Sequence, residues 1–148
     1  KKINIKTLRM LDLISIPTIF GGVFIRIGNF INNELVGKLT ALPWGVNFAG
    51  YDGIRHPIQL YQAATNLLLF FILLRLRKIK NRQEGLIFWS FIFLWGGIRF
   101  FTEFLRDLPS GYGMLFYGLN FAQLFSLVAI LISIYPLSRR VYFLARAK

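Results

Sequence analysis

The chain has 148 residues, of which 55% are hydrophobic and 17% aromatic, with a net charge of +12 and a mean hydropathy of +0.55. Soluble domains are roughly 45–50% apolar, so this composition points to a membrane protein. There is no cysteine and a single histidine, His56, which excludes a disulfide framework, a thiolate nucleophile and a metal cluster built on cysteine or histidine.

Four apolar runs reach the roughly 20 residues that a helix needs to cross a bilayer. They predict an all-α, polytopic membrane protein with spans over 11–31, 58–76, 86–105 and 117–137, forming a single transmembrane domain over 1–148. Lys1, Lys2, Lys6 and Arg9 precede the first run. Arg75, Arg77, Lys78, Lys80 and Arg82 separate the second from the third, and Arg139, Arg140, Arg146 and Lys148 follow the fourth. These thirteen of the eighteen basic residues lie on alternate connections and hence on one side, which the positive-inside rule makes cytoplasmic. Both termini are then inside, and the connections 32–57 and 106–116 face outward. Such alternation argues against a nucleic-acid partner, whose footprint would be one continuous basic face. The chain begins with Lys, and no secretory signal pattern precedes the first run, so it reads as a piece of something longer.

The other five basic residues, Arg26, Lys38, Arg55, Arg99 and Arg106, belong to the outer half, where topology gives them no task. Arg26 lies at the end of the first span beside Asn29, Asn32, Asn33 and Glu34. On a continuing helix, Arg26, Asn29 and Asn33 share a face. An arginine at this depth is a functional-site candidate suited to holding a phosphate, although an arginine near a helix end also snorkels to the headgroups. On the third run, Arg99, Glu103 and Arg106 follow at helical spacing. Arg99 and Glu103 neutralise one another as an intrahelical pair, but two arginines for one glutamate leave a positive charge over. Gly96 and Gly97 permit close helix approach. The long connection 32–57, with Trp44, Asn47, Tyr51 and Asp52, reads as a segment packed at the membrane interface and ends with Pro57 in the first turn of the next helix. His56 is a general base or, with Pro57 behind it, a structural residue. Gln59 and Tyr61 read as interface packing, and Asn120, Gln123 and Ser126 as interhelical hydrogen-bonding groups.

Three stretches resemble, in order, the motifs of the bacterial prolipoprotein diacylglyceryl transferase family: Arg26-Ile-Gly-Asn-Phe-Ile-Asn-Asn-Glu-Leu-Val-Gly37, Arg55-His-Pro-Ile-Gln-Leu-Tyr61 and Gly96-Gly-Ile-Arg-Phe-Phe-Thr-Glu-Phe-Leu-Arg106. Gln123 falls on a further matching position. The resemblance implies a multi-pass enzyme of the bacterial inner membrane. It would transfer the diacylglyceryl group of phosphatidylglycerol to the lipobox cysteine of prolipoproteins, the first step of lipoprotein maturation, with no cofactor and no metal. Carried over by position, Arg26, Asn29, Glu34 and Gly37 would bind phosphatidylglycerol, and Arg99 and Glu103 would be catalytic. Asn32, Arg55, His56, Tyr61 and Arg106 are further site candidates. Trp95 stands where the family usually has Tyr, and Gln62 where Glu is common. Nothing in residues 1–148 matches the family's His-Gly-Gly motif, so the resemblance is to a C-terminal portion lacking the N-terminal spans. Two other readings stand beside the transferase: a catalytically incomplete phospholipid-binding membrane protein or subunit, and a small anion transporter.

Overall fold

Inside a bilayer every backbone polar group must be satisfied within its own segment, and a long apolar run meets that demand as a helix. The computed structural model, which describes residues 6–108 and 118–146, contains four such helices: α1 (Thr7–Ile31), α2 (Ile58–Arg77), α3 (Leu86–Glu103) and α4 (Phe121–Arg146). All four are long and apolar enough to cross a membrane. The protein is a multi-pass membrane protein. Its outer surface carries Phe24, Phe125 and Leu131 largely exposed, whereas the buried side chains are as often polar as apolar. That distribution suits a bundle whose surroundings are lipid.

The helix ends follow backbone chemistry rather than hydropathy. α1 starts at Thr7 and α4 runs on to Arg146, both beyond the apolar runs, because basic flanks continue a helix as readily as apolar residues do. α1 stops at Ile31; Asn32 caps it, and Asn33 (φ +55°) and Leu35 (φ +54°) turn the chain through the left-handed region. Asn33 therefore leaves the helix face expected to carry it beside Arg26 and Asn29. Pro57 stands just before α2, as its N-cap rather than in its first turn. α3 ends at Glu103, so Arg106 lies in the turn beyond it. The expected start of the fourth span at Tyr117 and most of the 106–116 connection lie outside the described residues.

α1 packs mainly on α2 and α3 mainly on α4, with α2 also against α3 and little direct contact between α1 and α3. Ile16 and Ile19 of α1, Leu69 and Leu73 of α2 and Ile87 of α3 form the apolar core. Gly96 brings α4 close: a Cβ there would stand 3.1 Å from the Ser126 carbonyl oxygen and from Ile130 Cγ1, whereas Gly97 faces open space. α3 has no capping side chain of its own at Gly85. Asp12 of α1 supplies one from a distance, accepting the Gly85 and Phe88 N–H groups at 2.8 Å each. Its carboxylate thus sits at the positive end of the α3 dipole. Arg140 of α4 donates from Nε to the Glu84 carbonyl oxygen at 2.8 Å. The starts of α1 and α3 and the end of α4 are thereby held at one end of the bundle.

At the other end, the 32–57 connection folds into structure that hydropathy did not show. β1 (Val46–Asn47) and β2 (Ile54–Arg55) pair antiparallel, with Val46 opposite Arg55 and Asn47 opposite Ile54. Strands of two residues are too short to display an alternating pattern. The all-helical expectation holds for the spans and gives way here to a small sheet. Residues just before it also pair with the chain leaving α3: Gly37 bridges Arg106, the Lys38 N–H donates to the Leu105 carbonyl at 2.8 Å, and the Asp107 N–H donates to the Val36 carbonyl at 3.1 Å.

Candidate functional site

Arg26, half-buried in the last third of α1, enters a narrow cleft roofed by α2 and α3. Arg99 reaches the same cleft from α3, with Trp95 and Thr102 on its own helix and Gln62 and Asn66 on α2. The cleft brings together arginines from two helices whose direct contact is limited. Its polar wall is braced by Gln62, whose Nε2 donates to Thr102 Oγ1 at 3.1 Å.

The two cations are held differently. With its side-chain amide oriented to satisfy both ends, Asn29 accepts from Arg26 Nη1 at 3.2 Å and donates to Glu34 Oε2 at 3.2 Å. Arg26 itself has no carboxylate within ion-pair distance among the described residues. Arg99 leans on Glu103, which is 3% exposed. Arg99 Nη2 and Glu103 Oε2 are 3.2 Å apart, while Arg106 Nη1 and Asn120 Nδ2 each meet Oε1 at 3.2 Å. The Arg99 contact is an ion pair without hydrogen-bond alignment, so Oε2 stands without a hydrogen bond among the described residues, as does the buried Arg106 Nε. Three guanidinium groups against two carboxylates leave the site one positive charge in excess. Glu103 is shared by Arg99 and Arg106, Arg26 has no carboxylate at ion-pair distance among the described residues, and an anion in the cleft would face both forked donors.

Gly37 lies outside the cleft wall, and its need for glycine is steric: a Cβ would fall 2.5 Å from the His56 carbonyl oxygen and 3.1 Å from that of Leu105. Glu34 is exposed, and its carbonyl accepts from Gln59 Nε2 at 2.6 Å. Gln59 is fully buried, so it ties α2 to the end of α1 rather than packing at an interface. Arg55 is a clasp. It donates to the Gly37 carbonyl at 3.3 Å, pairs with Asp107 and lies 5.4 Å over the Tyr51 ring. His56 Nδ1 faces Tyr61 Oη at 3.3 Å, and that phenol accepts from Trp44 Nε1 at 2.8 Å. Arg55, His56, Tyr61 and Asn32 do not line the cleft. Asn120, just before α4, bonds across to Glu103 of α3, while Gln123 bonds back to Asn120 and Ser126 to its own helix at the Ala122 carbonyl. Gln62 and Asn66 line the cleft without belonging to any of the three motifs. Their signal was two amides four residues apart within an apolar run, the spacing that sets both on one helix face.

Four membrane-length helices, three of which line a cleft reached by two arginines, define a multi-pass membrane protein with a cationic intramembrane site. The chain belongs to the prolipoprotein diacylglyceryl transferase family, whose model matches residues 1–138. Among its relatives are three phosphatidylglycerol–prolipoprotein diacylglyceryl transferases. That of Geobacter sulfurreducens is 39% identical over 74% of this chain and 42% of its own length. That of Tolumonas auensis is 41% identical over 72% of this chain and 42% of its own. That of Campylobacter lari is 36% identical over 86% of this chain and 46% of its own. The chain thus spans somewhat less than half the length of these relatives.

Proposed function

We propose that this chain grips the phosphate of phosphatidylglycerol between Arg26 and Arg99 and takes part in moving its diacylglyceryl group to the lipobox cysteine of a prolipoprotein, in the bacterial inner membrane. The cysteine sulfur attacks the glycerol carbon that carries the phosphate. The S–C bond forms as the C–O bond breaks, glycerol phosphate leaves with the electron pair, and the thiol proton is released. Charge develops on the departing phosphate oxygen, and fixed cations beside it lower the barrier. Arg26 carries the unpaired charge. Arg99 is steadied by Glu103, and Asn29 links Arg26 to Glu34. Gly37, Arg55, His56 and Tyr61 hold the outer segment against the ends of α1 and α3 and act as positioning residues. The observation that carries this reading is the meeting of Arg26 and Arg99 in one cleft.

A second reading, a phospholipid-binding part that needs further chain for catalysis, is favoured by the share of its relatives that this chain covers. One experiment separates the two. The 148-residue chain, in micelles containing phosphatidylglycerol, is incubated with a lipobox peptide bearing a free cysteine while the peptide mass is followed. A diacylglyceryl gain that Arg26→Ala abolishes supports the transferase. No gain, with phosphatidylglycerol still bound and Arg26→Ala releasing it, supports the binding part. Lipid affinity unchanged in Arg26→Ala overturns the phosphate grip in both.

A further inference from the structure

At the opposite end of the bundle lies a second and larger cleft, of about 290 Å³. Three arginines from separate places in the chain reach it: Arg9 in the first turn of α1, Arg77 at the end of α2 and Arg82 in the connection to α3. Its apolar floor includes Leu13, Ile16 and Ile87. Arg9 and Arg26 are 17 residues apart on α1, about 25 Å along the helix axis, so the two clefts do not share a ligand. Asp12 also lines this cleft, but both of its oxygens are committed to the N–H groups at the start of α3. Among the described residues, no carboxylate stands within ion-pair distance of Arg9, Arg77 or Arg82. Arg82 Nη1 donates to the Arg77 carbonyl at 2.8 Å, which folds the connection back and fixes the third cation beside the second.

Cations around an apolar floor, at the basic end of a bundle of membrane-length helices, match the chemistry of an anionic lipid headgroup. A soluble anion would have no use for the floor. We propose that this cleft binds the phosphate of an anionic phospholipid, with Arg9, Arg77 and Arg82 on the phosphate and the apolar floor under the start of the acyl chains. It is a site of attachment to the surrounding lipid, separate from the cleft of Arg26 and Arg99, and it does not rest on the function proposed for that cleft.

The test uses the full chain carrying Arg26→Ala and Arg99→Ala, so that the outer cleft contributes nothing. In neutral detergent micelles it is titrated by calorimetry with short-chain phosphatidylglycerol, short-chain phosphatidylcholine and inorganic phosphate. Saturable binding of one phosphatidylglycerol is expected, with at least tenfold weaker binding of the other two. Adding Arg9→Gln, Arg77→Gln and Arg82→Gln weakens it at least tenfold. Removing three charges from the same end but outside the cleft, by Lys78→Gln, Lys80→Gln and Arg139→Gln, changes it by less than twofold. Circular dichroism checks each variant for folding, and if the triple variant fails that check, Arg9→Gln alone, at an exposed position, is expected to weaken binding about threefold. No saturable binding, inorganic phosphate held as tightly as the lipid, or equal losses in the two triple variants would each overturn the site.

Discussion

Glu103 shows how one residue sets the character of the cleft. It is buried, and it offsets Arg99 and Arg106 together, whose side chains are 18% and 16% exposed. Breaking a buried ion pair by removing one partner costs roughly 3–5 kcal/mol, because the remaining charge is left uncompensated. Glu103→Ala strands two arginines and is expected to lose stability in that range, read as a lower unfolding midpoint in detergent. Glu103→Gln keeps an oxygen for Asn120 and is expected to lose less. Equal stability of Glu103→Ala and wild type would show that the arginines find compensation elsewhere. At this scale the sequence was most readable where a charge interrupts an apolar run, as at Arg26 and Arg99, since such residues are rare without a task. It was least readable where the task depends on the end of a helix: Asn33 lost its place beside Arg26 because the backbone turns at Asn32 and Asn33.

The four helices were legible because hydrophobicity and length determine them, and their ends were not, because caps and basic flanks do. The small sheet had no periodic signal at all. Its attachment to α3 is nevertheless what brings Gly37 and Arg106 together. Gly37→Ala would press a methyl against two carbonyl oxygens that belong to backbone and have little room to move. Overpacking of that kind costs about 1–3 kcal/mol. The expected result is faster limited proteolysis within residues 32–57 with helical content unchanged. Wild-type protection would mean that the segment relaxes around the added atom. The buried amides on α2, Gln59, Gln62 and Asn66, likewise belong to this scale: each ties or faces a neighbouring helix, a role visible only once the helices are set side by side.

For the whole molecule, the basic excess at the Asp12–Arg140 end is expected to orient the chain with that end in the cytoplasm. The absence of cysteine makes this simple to check, since one introduced thiol is the only one present. Leu39→Cys, at a position 63% exposed in the outer segment, is expected to react with an impermeant maleimide on spheroplasts. Lys80→Cys is expected to react only after permeabilisation. The reverse pattern would invert the topology and place the arginine cleft toward the cytoplasm. The tie between residues 36–38 and 105–107 has a consequence for biogenesis. Its two strands are nearly 70 residues apart and made largely by main chain, and the second emerges only after α2 and α3 have been synthesised. Contacts of such separation form late, after the intervening chain is in place. A nascent chain interrupted before Arg99 would carry Arg26 in the membrane with no facing cation and no outer clasp. The grip proposed for Arg26 and Arg99 is therefore expected to assemble in one step, once α3 and the chain leaving it are in place.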